Sequence, residues 1–279
     1  MSPQTGGFAG TIARHVALVI TSLLTLAPFV WMLSTAAKPG NEIFSRELHL
    51  WPERFAAGEN IAAAFAKVPM LTYLANGVVV VALIFALQLA LALPCAYALA
   101  KLPFRGRRLV FGAVLFCLML PTQAIAIPQF LLAQRLGLLD TYWAVALPYA
   151  VSAFGIFLMR QSFQTIPDDL LDAARLDGFG EFGLVFRLML PLALPAVTAF
   201  GIFSVTSHWN EYFWPLVVLS SPDKLTPALG IAFLRNEEAG SDYGALMAAA
   251  TIVIAPLIIA FLVAQRRFVE GIALTGLKG

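Results

Sequence analysis

Charged side chains are scarce in this sequence. Asp, Glu, Lys and Arg make up 12% of its 279 residues, where soluble domains carry about 25%. So few ions cannot cover a water-facing surface when 60% of the residues are hydrophobic and the mean hydropathy is +0.83. The apolar surplus has to face lipid, so the bilayer is the effective solvent. An excess of either charge sign is missing too. The net charge is +2, from 18 basic and 16 acidic residues, whereas nucleic-acid binding wants a basic face interleaved with aromatics. No nucleic-acid partner is expected.

Other absences narrow the function. The two cysteines, Cys95 and Cys117, lie in apolar runs and read as buried thiols rather than a disulfide. His15, His49 and His208 lack metal-ligand spacing, so no metal site is expected. No His, Asp and Glu cluster marks a membrane enzyme, and no catalytic residue is assigned. An ion-coupled secondary transporter would show inverted repeats and acidic groups deep in its spans, and neither is apparent. There is no G-x-x-x-x-G-K-[ST] phosphate loop, so the chain should not bind ATP by that route.

Long apolar runs are what the sequence does have. A membrane helix needs about 20 apolar residues, because the hydrocarbon core is about 30 Å thick. Six stretches qualify: Ile12–Leu33, Leu71–Ala98, Leu109–Leu132, Tyr142–Met159, Leu192–Phe213 and Tyr243–Val263. The expected fold is therefore an all-α polytopic membrane protein with about six transmembrane helices. The polar segments between them are too short for a soluble domain, so residues 1–279 read as one membrane domain. The segment 1–10, with Gly6, Gly7 and Gly10, reads as a flexible tail. The first run exceeds the roughly 7–15 residue core of a signal peptide, so it is expected to be a retained span despite the small residues Ser34, Thr35, Ala36 and Ala37.

Loop charge sets the orientation. With the N-terminus inside, eleven Lys and Arg fall in inner segments and seven in the longer outer ones. Lys101, Arg105, Arg107 and Arg108 put four cations into eight residues. Both termini are expected in the cytoplasm, with outer loops at about 38–69 and 214–242 and a cytoplasmic loop at about 160–190.

Several features have two readings. Ala82, Ala86 and Ala90, beside Ala92, Ala96 and Ala100, form small-residue stripes that suit a moving interface or static packing. Pro94, Pro121, Pro128 and Pro256 interrupt apolar runs as hinges or as plain bends. Gln88, Gln123, Gln129, Asn210 and Glu211 are polar groups within or at the ends of spans. They contact either a solute or a neighbouring helix. His208, Trp209, Tyr212 and Trp214 suit an interfacial aromatic belt or stacking on a sugar ring. Candidate solute-pathway residues are Asn210, Glu211, Trp209, Tyr212 and Gln123.

The most informative segment is Ile166–Gly178. Pro167 suits the first helical position, and Asp168 and Asp169 put negative charge at the positive end of a helix dipole. Gly178 can take the left-handed conformation that stops a helix. A helix of about three turns is marginal alone, so it should dock against something. Ala173 and Ala174 leave a low surface for close approach, and Leu170, Leu171 and Leu176 supply apolar contacts. A stub helix lying on the membrane surface is the plainer alternative.

This segment resembles the cytoplasmic loop of permeases in ATP-binding cassette importers. Their pattern is Glu-Ala-Ala, three residues, Gly, nine residues, then Ile-x-Leu-Pro. Here Asp172-Ala173-Ala174 is followed by three residues and Gly178, then nine residues and Leu188-Met189-Leu190-Pro191. Asp replaces Glu and Leu replaces Ile, with the spacing unchanged. The chain after about Leu71 is similar to the carbohydrate-uptake, maltose- and glycerol-phosphate-type branch. Leu136 to Thr141, Trp209 to Pro215, and Arg267 to Gly279 carry that likeness.

The resemblance implies a permease subunit of an importer for a sugar or related polar solute, with glycerol phosphate or an acidic sugar as the alternative. It implies ATPase-coupling contacts at Leu170, Asp172, Ala173, Ala174, Leu176, Gly178 and Pro191. It also implies four kinds of partner: a second homologous permease, an ATPase dimer that binds ATP and Mg, an extracytoplasmic solute-binding protein, and lipid. This chain itself would bind no cofactor. The implied location is a bacterial cytoplasmic membrane.

Overall fold

Without water to satisfy its N–H and C=O groups, an apolar backbone in lipid has to close its hydrogen bonds within itself. Helices do this throughout the computed structural model, and no strand occurs among the residues it describes, which are 8–45, 49–234 and 242–276. Most of the glycine-bearing start lies outside the described residues. So do Arg46, Arg235, the polar run 236–240 and the chain end at 277–279. The chain forms two compact units, Met1–Val68 with Ile231–Ile254, and Pro69–Gly230 with Ala255–Gly279.

The first unit holds α1 (Phe8–Ala37), α2 (Gly40–Ile43) and α3 (Ala57–Lys67). From Gly10 to Trp31 almost every α1 side chain is exposed, as suits a helix bathed in lipid. Thr21 and Thr25 donate to the carbonyls of Ala17 and Thr21, each at 2.8 Å, so these two hydroxyls are satisfied within the helix. The far end of α1 is anchored by buried Asn60, whose Nδ2 donates to the Ala36 and Lys38 carbonyls at 2.8 and 2.9 Å. Lys67 pairs with Asp242 at 2.7 Å. The segment 38–69 thus carries helices and its own tie.

In the second unit α4 (Met70–Lys101) is the central span. It is followed by α5 (Arg107–Cys117), α6 (Ala126–Arg135), α7 (Tyr142–Ala146), α8 (Ala153–Gln164) and α9 (Asp168–Leu176). Then come α10 (Glu181–Leu192), α11 (Leu194–Trp209), α12 (Phe213–Val218) and α13 (Pro227–Ala232). The last helix, α14 (Tyr243–Gly276), begins in the first unit and ends in the second. The core packs Leu93, Ala96 and Tyr97 of α4 against Met159 and Phe163 of α8 and Phe200 of α11. Gly155 permits the α8–α11 approach, since an added Cβ would stand 2.7 Å from Phe200 Cζ. Ala92 and Ala96 are buried here, while Ala82, Ala86 and Ala90 are exposed.

Of the six expected spans, α1, α4 and α14 are long apolar helices. Two more are bent pairs. Tyr142–Tyr149 meets Ala153–Gln164 at 47°, and α10 meets α11 at 83°. The stretch expected at Leu109–Leu132 is two helices, α5 and α6, separated by a short segment with a 3-10 turn at Thr122–Ile125. Pro94 and Pro256 sit inside continuous helices. The sharp bends fall elsewhere, beside Pro148, Pro191 and Pro195. One missing N–H is tolerated within a long helix. A proline beside a helix end costs nothing there and lets the next helix start in a new direction.

Candidate functional site

The segment 166–178 folds as the expected short helix, α9, with one revision at its start. Pro167 is the N-cap, in extended backbone at φ −60° and ψ 141°, rather than the first helical residue. Asp168 and Asp169 fill the first turn. Gly178 ends the helix at φ +87°, a conformation open to glycine at no steric cost.

Two devices fix α9 to the end of α4. Leu171 is 2% exposed and enters the core beside Tyr97, Phe163 and Leu184, and Ala174 packs partly against the same cluster. Lys101, the last residue of α4, donates to the Ile166 carbonyl at 2.5 Å and to Asp168 Oδ1 at 2.6 Å. A charged group crosses from α9 to α10 as well. Arg175 pairs with Asp172 at 3.0 Å and with Glu181 at 3.4 Å. It also donates to the Tyr97 hydroxyl, which donates in turn to Glu181 at 2.6 Å. Burial is the largest single influence on the Arg175 charge and opposes it, but the attractions of Glu181, Tyr97 and Asp172 together outweigh burial and its pKa is raised. The outward side carries Asp172, Leu170, Ala173 and Leu176, the last 90% exposed. Pro191 lies apart, at the bend between α10 and α11.

The opposite end of α4 is tied differently. Asn76 Nδ2 donates to the Asp223 and Leu225 carbonyls at 2.8 and 3.0 Å, and its Oδ1 accepts from the Tyr142 hydroxyl at 2.7 Å. Asp140, in left-handed backbone at φ +58°, collects the Ser221 hydroxyl, the Ser221 and Ser220 N–H groups and Lys224. Those donors hold its carboxyl far below the usual carboxylate range, and Asp140 raises the Lys224 pKa in return. The segment from 214 on is therefore structured by α12, α13 and this clamp.

Between the two ends, about 18 Å from Asn76 and about 20 Å from Lys101 at 1.5 Å per residue, Gln88 borders a cavity of about 350 Å3. Its Nε2 donates to the Tyr149 carbonyl at 3.0 Å, and its Oε1 accepts from Ser204 at 2.6 Å. His208 Nδ1 donates to the Ser204 carbonyl at 2.7 Å, and its ring meets Tyr149 edge-on at 4.7 Å. Gln123, Gln129, Glu211 and Trp214 also line the space. Among the described residues no lysine or arginine does so.

The cavity brings together only two of the five pathway candidates, Gln123 and Glu211. Asn210 turns back on its own helix and donates to the Thr206 carbonyl at 2.8 Å. Trp209 is buried beside Gly77, and Tyr212 is exposed without lining the cavity. Trp214 is buried and donates to the Ala144 carbonyl at 2.9 Å. Both tryptophans thus lie inside protein rather than in an interfacial belt, because each indole has a packing partner on a neighbouring helix. Tyr149 and Ser204 carried no warning in the sequence beyond being polar groups in apolar runs.

Comparison with known proteins gives concordant matches. Residues 88–273 fit the model of a family described as "Binding-protein-dependent transport system inner membrane component". The chain is 34% identical over 280 residues to the arabinooligosaccharides transport system permease protein AraQ of Bacillus subtilis (strain 168), covering 100% of this chain and 99% of that one. It is 29% identical to the sn-glycerol-3-phosphate transport system permease protein UgpE of Yersinia pestis bv. Antiqua, over 92% of this chain and 94% of the other. Among solved structures, it is similar to a chain of a bacterial ABC transporter involved in the import of the acidic polysaccharide alginate. The TM-score is 0.82 at 27% identity, over 96% of this chain and 99% of that chain.

Proposed function

The chain belongs to the family of binding-protein-dependent transport system inner membrane components, and from that premise we propose that α9 is the element through which an ATPase subunit drives it. It is a multi-pass membrane permease of an ATP-driven importer. The supporting observation is a short helix bolted to α4 by Leu171 and Lys101 with Leu170, Ala173 and Leu176 left bare. Isolated helices this short do not persist in water, so α9 moves with α4. Force applied to the bare face is passed to the span that borders the cavity.

In this reading the ATPase dimer holds ATP and Mg, and this chain converts dimer closure into alternating access. A second homologous permease completes the pathway, and an extracytoplasmic protein delivers the solute. The α9 end of α4 faces the cytoplasm, as do both termini, and residues 1–279 form one permease domain. The solute is a neutral sugar or oligosaccharide. Amides, hydroxyls and aromatic rings suit its recognition, and a phosphate or uronate would meet Glu211 with no cation in the described lining to offset it.

The test is binding-protein-stimulated ATP hydrolysis by the assembled importer in liposomes, with Leu176→Glu in this chain. A carboxylate placed on an apolar contact face has to be desolvated when the partner binds, so a decrease of about fivefold or more is expected in a variant that inserts normally. Unchanged stimulation would sink the coupling assignment.

A further inference from the structure

At the same end of α4 lies a second charged feature, lined by no residue of α9. Arg105, Arg107, Arg108 and Arg160 border one open hollow of about 770 Å3, together with Phe104 and Phe111. Gly106, at φ +85°, turns the chain back so that arginines on both sides of it reach the same space. Arg160 is held in place from three directions. Its guanidinium stacks 3.9 Å from the Phe111 ring centroid, Nε donates to the Leu99 carbonyl at 3.2 Å, and Nη1 donates to Gln164 at 3.4 Å. Arg107 donates to the Leu102 carbonyl at 3.3 Å.

None of these four guanidiniums is paired with a carboxylate among the described residues. The neighbouring cation Lys101 is already committed to Asp168. No acidic residue lies in the first turn of α5, and no side chain caps it, so its N–H groups add to the positive field at the hollow. Four like charges held together without an anion form an incomplete arrangement, and guanidinium groups fit phosphate oxygens in bidentate fashion.

A second observation selects the kind of phosphate. The helix that starts at the hollow runs away from it with Leu109, Val110, Leu115 and Phe116 exposed, Leu109 by 80%. The cationic hollow therefore continues directly into an apolar surface one helix long. A soluble anion would use only the first part, whereas a lipid uses both, with its phosphodiester among the arginines and its acyl chains along α5. We infer that this hollow is a site for the headgroup of an anionic phospholipid, consistent with the attraction of juxtamembrane basic clusters to such lipids. An acidic protein surface would match the charges but leave the apolar run bare.

The experiment uses the full chain purified in detergent, with thermal unfolding followed during titration by phosphatidylglycerol, phosphatidylcholine or inorganic phosphate. Retained lipid is counted in parallel by native mass spectrometry. For wild type, phosphatidylglycerol is expected to raise the midpoint by about 3–5 °C, as ligand linkage predicts for a chain of this size. Phosphatidylcholine and phosphate should leave it unchanged. Arg105→Gln/Arg108→Gln should lose most of the shift and the retained lipid, while Arg105→Lys/Arg108→Lys keeps part of both. Unfolding in phosphatidylcholine alone checks that each variant is folded.

An equal response in the Gln variant would overturn the proposal. Phosphate reproducing the full shift would make this a soluble-anion site and overturn the lipid assignment. Loss of ATPase-subunit co-purification in the Gln variant, with its lipid response intact, would assign the hollow to protein contact instead.

Discussion

Both ends of α4 are tied to the rest of their unit, one through Asn76 beside the Lys224–Asp140 pair and the other through Lys101 and Asp168, and the two ties differ in what surrounds them. At the Asn76 end, Asp140 takes four donors from Ser220, Ser221 and Lys224, and Asn76 is closed by Asp223, Leu225 and Tyr142. Every partner comes from the same unit. At the Lys101 end the lysine side chain is 8% exposed but its partner Asp168 is 77% exposed. Around it Leu170, Leu176, Phe182 and four arginines face outward. One end satisfies its polar groups internally and holds the loops still. The other end leaves apolar and charged groups unmatched, which is the surface an external partner needs.

The sharpest way to break this comparison is to loosen the Lys101 end from beneath. Leu171→Ala removes a fully buried leucine under α9 and is expected to cost about 2–5 kcal/mol in unfolding free energy, read from denaturant titration in detergent. A cost near zero would mean that α9 is not seated on the core. Next comes the clamp at Asp140. Asp140→Asn should lower the melting midpoint by several degrees at neutral pH, because a neutral amide cannot replace the carboxylate among those donors.

The pH dependence of that difference tests its cause. The folded Asp140 pKa lies below its unfolded value of about 3.9. Its stabilisation is thus complete above about pH 4 and lost as pH falls through the lower folded value. Lys224 is raised, so its share is present below about pH 10.4 and lost as pH rises above it. Wild type and Asp140→Asn should therefore differ constantly between about pH 5 and 9 and converge in acid. A difference that grew on acidification would contradict the clamp.

Smaller effects separate structure from engagement. Tyr97→Phe deletes the hydroxyl shared by Arg175 and Glu181 and should cost about 1 kcal/mol. Leu176→Ala is expected to change stability by no more than about 0.5 kcal/mol, since its side chain touches little in this chain. Any larger loss would show that Leu176 supports the fold instead of waiting for a partner.

How much of this was legible beforehand depends on the range of the interaction. The position of α9 was readable because its signals are local. Paired aspartates at one end and Gly178 at the other act within a single helical turn, and their spacing matches a familiar loop pattern. The shift of Pro167 from first residue to cap moves the boundary by one position and changes nothing in the packing. The stretch 109–132 was apolar enough to read as one span. Its break into α5 and α6 follows from a short segment around Pro121, which hydropathy averages over. Asp140 appeared only as part of a family-like run, because its role depends on Ser220, Ser221 and Lys224 some eighty positions later.

By itself the sequence determined the solvent, the helical class and the short helix α9, because composition, run length and helix-end signals act on neighbouring residues and on the bilayer. Tertiary structure alone decided which alanine stripe is buried, which polar groups share the cavity, and where the spans bend. It also decided that Trp209 packs beside Gly77 while Gln88, His208 and Trp214 border open space. Those outcomes turn on which helices meet and at what angle, and a side chain's sequence neighbours carry no record of that.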